Sequence, residues 1–292
     1  MEDAGRLGRR VAATSMAVSG TLAAIKISVG LMAGSTAVVA DGVESASDVL
    51  ASGIVYIGLM VASRPADADH PYGHGRFETL AGLAVGMILA ATGTAICLRS
   101  LERTGEMHTP PAGYAIWALL LSIVAKSVMS SFKFYYGRRI RSAALVADAW
   151  NDSVDVLSAT VALAALSLTL YNPGRFLAAD HYGGFAVGLF VILLGVRVIR
   201  DAASELLDTM PDLAHLDSIR RVALSVPGVL DVEKCYARKT GFQYHVDIHL
   251  EVDPHMTVFD SHELATRVRF TIREHLDWIA DVLVHVEPHP QG

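Results

Sequence analysis

The sequence predicts a membrane domain of six α-helices followed by a smaller α/β domain of order αββαβ. Three observations predict it. Apolar residues make up 52% of the 292 residues and mean hydropathy is +0.39, above what a soluble fold normally carries. Six apolar runs are each long enough to cross about 30 Å of hydrocarbon, which takes roughly 20 helical residues. Charged residues, 18% of the chain, are sparse over long stretches of the first 200 residues, whereas residues 211–292 have an ordinary soluble mixture. The shift falls at Met210-Pro211, so the expected division is a transmembrane domain of residues 1–210 and a soluble domain of residues 211–292.

The six runs lie at about 11–32, 37–62, 80–98, 113–131, 145–170 and 182–199. Basic residues between them set the expected orientation. Eleven fall on one side: Arg6, Arg9, Arg10, Arg64, Arg76, Lys133, Arg138, Arg139, Arg141, Arg197 and Arg200; three fall on the other: Arg99, Arg103 and Arg175. Both termini are therefore expected in the cytoplasm. Arg6, Arg9 and Arg10 lead directly into the first run with no small-residue cleavage site, so that run reads as a retained helix. The net charge of −6 gives no basic footprint and argues against a nucleic-acid partner. Two cysteines, Cys97 and Cys235, make neither a disulfide framework nor a CxxC metal site; any metal ligands must be His or carboxylate.

Carboxylates inside the apolar runs demand a function, since a charge at mid-membrane costs at least ~2.5–3.5 kcal/mol. Helix 2 carries Asp41, Glu44 and Asp48, and helix 5 carries Asp148, Asn151, Asp152 and Asp155. Glu44 and Asp48, like Asn151 and Asp155, are four apart, so each pair lies on one helical face. Two such helices face to face offer four oxygen-bearing side chains to one ion. The sequence repeats here: Val39-Ala40-Asp41 with Asp48-Val49-Leu50 recurs as Val146-Ala147-Asp148 with Asp155-Val156-Leu157. The alternative is that the acids form structural ion pairs with Lys26 and Lys126, and Asp41 and Asp148 suit that role best.

Between helices 2 and 3 the loop runs Asp67-Ala68-Asp69-His70-Pro71-Tyr72-Gly73-His74-Gly75-Arg76. Its mixed His and carboxylate set suits zinc-like ions, while Pro and Gly equally describe a tight turn. In the tail, Leu216 to Ser225 suits a helix ended by Pro227-Gly228, and Val229 to Arg238 a strand. Phe242 to Val252 alternates strictly, placing His245, Asp247 and His249 on one polar face. Asp260 with Glu263 suggests a capping box opening a helix through about His275, and Val282 to Val286 a last strand with His285 and Glu287 on one side. Eight of the 12 histidines lie at or beyond His215; a His-rich polar face is either a metal site or a solvated sheet surface.

These residues carry a resemblance over essentially the whole chain. The segments are Gly34-Ser35-Thr36-Ala37 before Val39-Ala40-Asp41, His70-Pro71-Tyr72-Gly73-His74-Gly75-Arg76-Phe77-Glu78, Ala147-Asp148-Ala149-Trp150, and Leu206-Leu207-Asp208. In these the chain resembles the cation diffusion facilitators, divalent metal cation/proton antiporters. The resemblance implies a homodimer with a ferredoxin-like cytoplasmic domain and a transport site at Glu44, Asp48, Asn151 and Asp155. It implies a loop site at Asp67, His70 and His74. It also implies a cytoplasmic interface site drawn from Glu233, His245, Asp247, His249, His262, His285 and Glu287. Arg76 and Asp208 match an ion pair that in relatives helps hold the dimer's membrane portions together. Asp41, Asp148 and Asp152 would be supporting acids.

One departure matters. Where the family usually has His or Asp, this chain has Asn151, and it has Glu44 where His or Asp is commoner. An all-oxygen site suits Mn²⁺ or Fe²⁺ better than a His-containing one, with Zn²⁺ still open. The expected function is proton-coupled efflux of such ions, H⁺ being the counter-ion, and the expected location the plasma (inner) membrane of a bacterium. A rival is a membrane-anchored metal sensor or assembly scaffold with little transport. No GxSxG or P-loop supports an enzyme.

Overall fold

A computed structural model describes residues 2–32, 36–102, 115–171 and 173–290. It divides into two compact units, Met1–Ala203 and Ser204–Gly292. The first contains helices α1 (Glu2–Met32), α2 (Thr36–Ala62), α3 (Arg76–Glu102), α4 (Ala115–Arg139), α5 (Ala143–Tyr171) and most of α6 (Pro173–Leu206). The second contains α7 (Leu213–Leu224), β1 (Asp231–Thr240), β2 (Gln243–Val252), α8 (Val258–His275) and β3 (Ile279–Pro288).

Each helix of the first unit reaches beyond its apolar run, because backbone hydrogen bonding continues into polar residues at the membrane surface. The consequence is largest for α4. Lys133, read above as a loop residue, lies inside the helix and is fully buried. Among the described residues, Ala4–Val29 and Arg76–Leu98 pass a test of length and apolarity for crossing a membrane, and Asp48–Ala62 is a shorter apolar helical stretch.

Helix α1 packs on α2 through Leu59, Val55 and Ala12, all fully buried, with Ser15 and Ser52 hydroxyls 3.1 Å apart. Helices α3 and α6 approach until their backbones nearly touch: a Cβ on Gly195 would lie 2.6 Å from the Ala90 nitrogen. Only glycine permits that approach. Helices α4 and α5 form an antiparallel hairpin whose turn passes through Arg141 at φ 57°. Ser142 then caps α5, its Oγ accepting from Leu145 N at 3.1 Å. Buried Glu78 of α3 reaches the same helix start, its Oε1 accepting from Ala144 N and Ser142 Oγ, both at 2.7 Å. A carboxylate there meets the positive end of the helix dipole.

The unit boundary lies N-terminal to the 210/211 division expected from composition. Glu205, in the last turn of α6, pairs with Lys239 of β1 at 2.8 Å and so belongs structurally with the tail. In the tail a three-stranded sheet of order β1-β2-β3 pairs β1 with β2 antiparallel and β2 with β3 parallel. Ile248, Leu250, Ile219, Leu264, Val268 and Ile272 fill the space between sheet and helices. The observed order αββαβ is that of a ferredoxin-like domain. Helix α8 starts earlier than Asp260-Glu263 suggested: Thr257 is the cap, accepting from Asp260 N at 3.1 Å and donating to Asp260 Oδ2 at 2.6 Å. A Thr hydroxyl can do both, which is why the box closes on it.

Candidate functional site

Among the described residues, three groups of chemistry-bearing side chains come together, two in the first unit and one in the tail. The deepest is built on α2, α4 and α5. Asp148, Asp152 and Asp155 occupy one face of α5, and Lys126 and Lys133, two turns apart, occupy the facing side of α4. Lys126 Nζ lies 2.6 Å from Asp48 Oδ2, 2.8 Å from Asp155 Oδ2 and 2.9 Å from Asp152 Oδ1. Lys133 Nζ lies 2.8 Å from Asp148 Oδ2 and 2.6 Å from Asp152 Oδ2. The later lysine faces the earlier acids, as an antiparallel hairpin requires. Ser52 of α2 donates to both oxygens of Asp148 at 3.1 and 3.0 Å. Asn151 Nδ2 donates to Asp48 Oδ1 at 3.0 Å, which leaves its carbonyl oxygen as the atom it offers to a cation. All of these residues are buried except Asp155, which is partly exposed.

The expected transport residues Asp48, Asn151 and Asp155 are thus brought together across α2 and α5. Glu44 precedes Asp48 by one turn of α2; the side chains of Glu44 and Asp41 lie outside the described residues. Among the described residues the acids pair with Lys126, as the sequence suggested, and also with Lys133. Lys26 donates to Ser45 Oγ at 3.0 Å and Ser122 Oγ at 2.8 Å, and it is Lys133 that joins Lys126 at the acids. The seven-residue spacing of Lys126 and Lys133, matching Asp148, Asp152 and Asp155, is the sequence signal that would have found the second lysine.

The loop group assembles around Asp67. Its Oδ1 accepts from His70 N at 2.7 Å and Asp69 N at 3.1 Å; His70 Nδ1 lies 3.2 Å and His74 Nε2 3.3 Å from its two oxygens. The His70 amide, first among the causes, holds the Asp67 carboxyl below its ordinary range. His74 Nδ1 sits 3.1 Å from the Pro65 carbonyl, which can only accept. The proton is therefore assigned to Nδ1, leaving the Nε2 lone pair directed to the cluster. Gly73, at φ 81°, turns the chain between the histidines.

In the tail, parallel register places His249 beside His285 and Glu251 beside Glu287. His249 Nδ1 lies 2.6 Å and His285 Nε2 3.4 Å from Glu287 Oε1. Glu233 sits at the irregularity in β1 between Val232 and Lys234, where a bulge re-aims a side chain. It shares a hydrogen bond with Glu287, which with His249 holds that carboxyl below its ordinary range. Other residues expected here are elsewhere: Asp247 pairs with Arg238 at 3.4 Å, His245 lies further along β2, and His262 is exposed on α8. Sharing a strand face did not bring them to one point, because only β3 supplies the second imidazole. Arg76 opens α3, and Asp208 follows α6 at φ 57°.

The chain matches the family model for the cation efflux transmembrane domain over residues 12–207 and that for the cation efflux protein cytoplasmic domain over residues 211–289. It is 27% identical to the manganese efflux system protein MneP of Bacillus subtilis, covering 97% of each chain. It is 28% identical to the cation-efflux pump FieF of Pectobacterium atrosepticum over 97% of this chain and 93% of that one. Metal tolerance protein C1 of Arabidopsis thaliana is 29% identical over 97% of this chain, which spans 63% of that protein's length. A solved MamM C-terminal domain aligns at 30% identity with 26% of this chain and 96% of its own, TM-score 0.26. With the two family models together matching residues 12–207 and 211–289, the chain belongs to the cation diffusion facilitators: it is a multi-pass membrane transporter of metal cations, and not an enzyme.

Proposed function

We propose that this transporter exports divalent transition-metal ions, Mn²⁺ or Fe²⁺ in preference to Zn²⁺, in exchange for protons, as a homodimer with both termini in the cytoplasm of a bacterium. The observation that carries the reading is the buried cluster between α2, α4 and α5. Among the described side chains, four carboxylates, Asp48, Asp148, Asp152 and Asp155, face two ammonium groups, Lys126 and Lys133, so acids outnumber bases where a divalent cation would bind. Its donors are all oxygen: Asp48, Asn151 and Asp155, with Glu44 a turn away on α2. Such a set suits hard or borderline ions.

In the proposed cycle the ion binds from the cytoplasm to ionised carboxylates, the domain rocks outward around the fixed site, and protons from outside displace the ion. Asn151 takes up no proton, so coupling runs through carboxylates. The loop group (Asp67, His70, His74) and the tail group (His249, His285, Glu287, with Glu233) are proposed as accessory metal sites. Metal on the tail would favour one dimer arrangement, and Arg76 with Asp208 would tie the protomers.

The test is uptake into inside-out reconstituted vesicles with Mn²⁺, Fe²⁺, Zn²⁺, Co²⁺ and Cd²⁺ side by side, wild type against Asn151→His. Uptake favouring Mn²⁺ or Fe²⁺, moving toward Zn²⁺ in the variant, supports an all-oxygen exporter. No flux for any ion, with metal still bound by the tail, supports the sensor or scaffold instead.

A further inference from the structure

Lys126 occupies the place where cargo would bind. Its ammonium contacts Asp48 Oδ2 at 2.6 Å and Asp155 Oδ2 at 2.8 Å, the two carboxylates assigned above to the ion. A divalent cation ligated by oxygen stands about 2.0–2.6 Å from each donor, so metal and ammonium compete for the same oxygens. We propose, on the reading that this domain exports metal, that Lys126 is the resident cation of the empty carrier: it holds the transport site between cargo ions and withdraws onto Asp152 when metal binds.

Asp152 is suited to that second position. It is not among the residues matched to the transport site, yet its Oδ1 already lies 2.9 Å from Lys126 Nζ. Its other oxygen stays fixed by Lys133 at 2.6 Å, which Asp148 also holds at 2.8 Å. Retreat onto Asp152 therefore leaves no ammonium stranded and requires only that the flexible lysine stem swing away from Asp48 and Asp155. Lys133 already bridges α4 to α5, so that bridge does not depend on Lys126. Lys26, the basic group approaching from α1, is held by Ser45 and Ser122 hydroxyls.

The arrangement has a functional use. A carrier must return free of metal, and any carboxylate that returns without a proton is costly in a low-dielectric interior unless another counter-charge stands beside it. A tethered cation lowers that cost and in exchange weakens the hold on cargo. Lys126 is on this account an affinity-setting residue that never has to touch the metal.

The test uses the full-length protein with Mn²⁺. Equilibrium binding is followed through the component that Asp48→Asn abolishes. Tracer Mn²⁺/Mn²⁺ exchange, which needs no metal-free return, is compared with net uptake, which does. Lys126→Gln is expected to bind Mn²⁺ about tenfold or more tightly, since a like charge beside the site is gone. It should keep tracer exchange and lose most net uptake. The charge-balanced Lys126→Gln/Asp152→Asn pair, which removes one cation with one anion, gives the same reading should the single variant fold poorly. Unchanged or weaker binding, or net uptake equal to wild type, overturns the proposal. Binding is read without flux: a wild type that carries no ion removes the export reading, while tighter binding by Lys126→Gln would still uphold Lys126 as occupant of the site.

Discussion

The membrane cluster and the tail cluster gather the same kinds of oxygen ligand under opposite conditions. Around Lys126 and Lys133 the acids are buried, and each described carboxylate lies within 3.0 Å of an ammonium. Around Glu287 the side chains are half-exposed or exposed, and the cluster is held by strand register and two imidazoles that need no counter-charge when neutral. Where water is excluded, the protein must carry its own counter-ions; where water reaches, it need not. Substitutions in the membrane cluster should therefore disturb folding and transport together, whereas those in the tail should alter metal binding and little else.

The largest expected effect is at Asp152, which touches both lysines. Asp152→Ala takes from both buried lysines the carboxylate they share, leaving Lys133 with Asp148 and Lys126 with Asp48 and Asp155, and should cost about 3 kcal/mol, read as reduced resistance to unfolding of the detergent-solubilised protein. A neutral result would mean that the ion pairs do not hold the helices. Next is Glu78→Ala, which strips the carboxylate from the start of α5. Leaving the Ala144 amide and the Ser142 hydroxyl without that acceptor should cost about 1–3 kcal/mol, and wild-type stability would contradict the capping role.

In the tail, Glu287→Gln should weaken metal binding about 10-fold or more with only a small change in metal-free stability. Titration sharpens this prediction. The Glu287 carboxyl titrates below its ordinary range, so its contribution to stability is present above the unfolded-state value and is lost only as pH falls through the lower folded-state value. Wild type and Glu287→Gln should therefore differ in metal-free stability at neutral pH and converge as pH falls below the ordinary carboxylate range; a difference that persists there would contradict the direction of the shift. The smallest effect is at Cys235, where burial pushes the thiol up to about 11. Iodoacetamide should modify it at least ~10-fold more slowly than a free cysteine at neutral pH, measured by intact mass.

Local periodicity made much of this visible in advance. Four-residue spacing put Asn151 and Asp155 on one face of α5, and strict alternation in β2 set His249 on the polar side of the sheet. What the sequence concealed was contact between distant segments. Lys133 was hidden because the apolar run ends near residue 131 while the hydrogen-bonded helix continues to Arg139. Glu78 finds α5 only through packing, and His249 finds His285 only through a parallel register that no local pattern specifies. His245 and Asp247 show the converse, since a shared face set no common point of convergence.

The most direct test compares Mn²⁺ uptake into inside-out vesicles by Asp48→Asn and by Glu287→Gln, each against wild type. The account predicts that Asp48→Asn abolishes net uptake and that Glu287→Gln retains it within a few-fold. Uptake surviving in Asp48→Asn, or lost only in Glu287→Gln, would contradict the assignment of transport to the buried cluster.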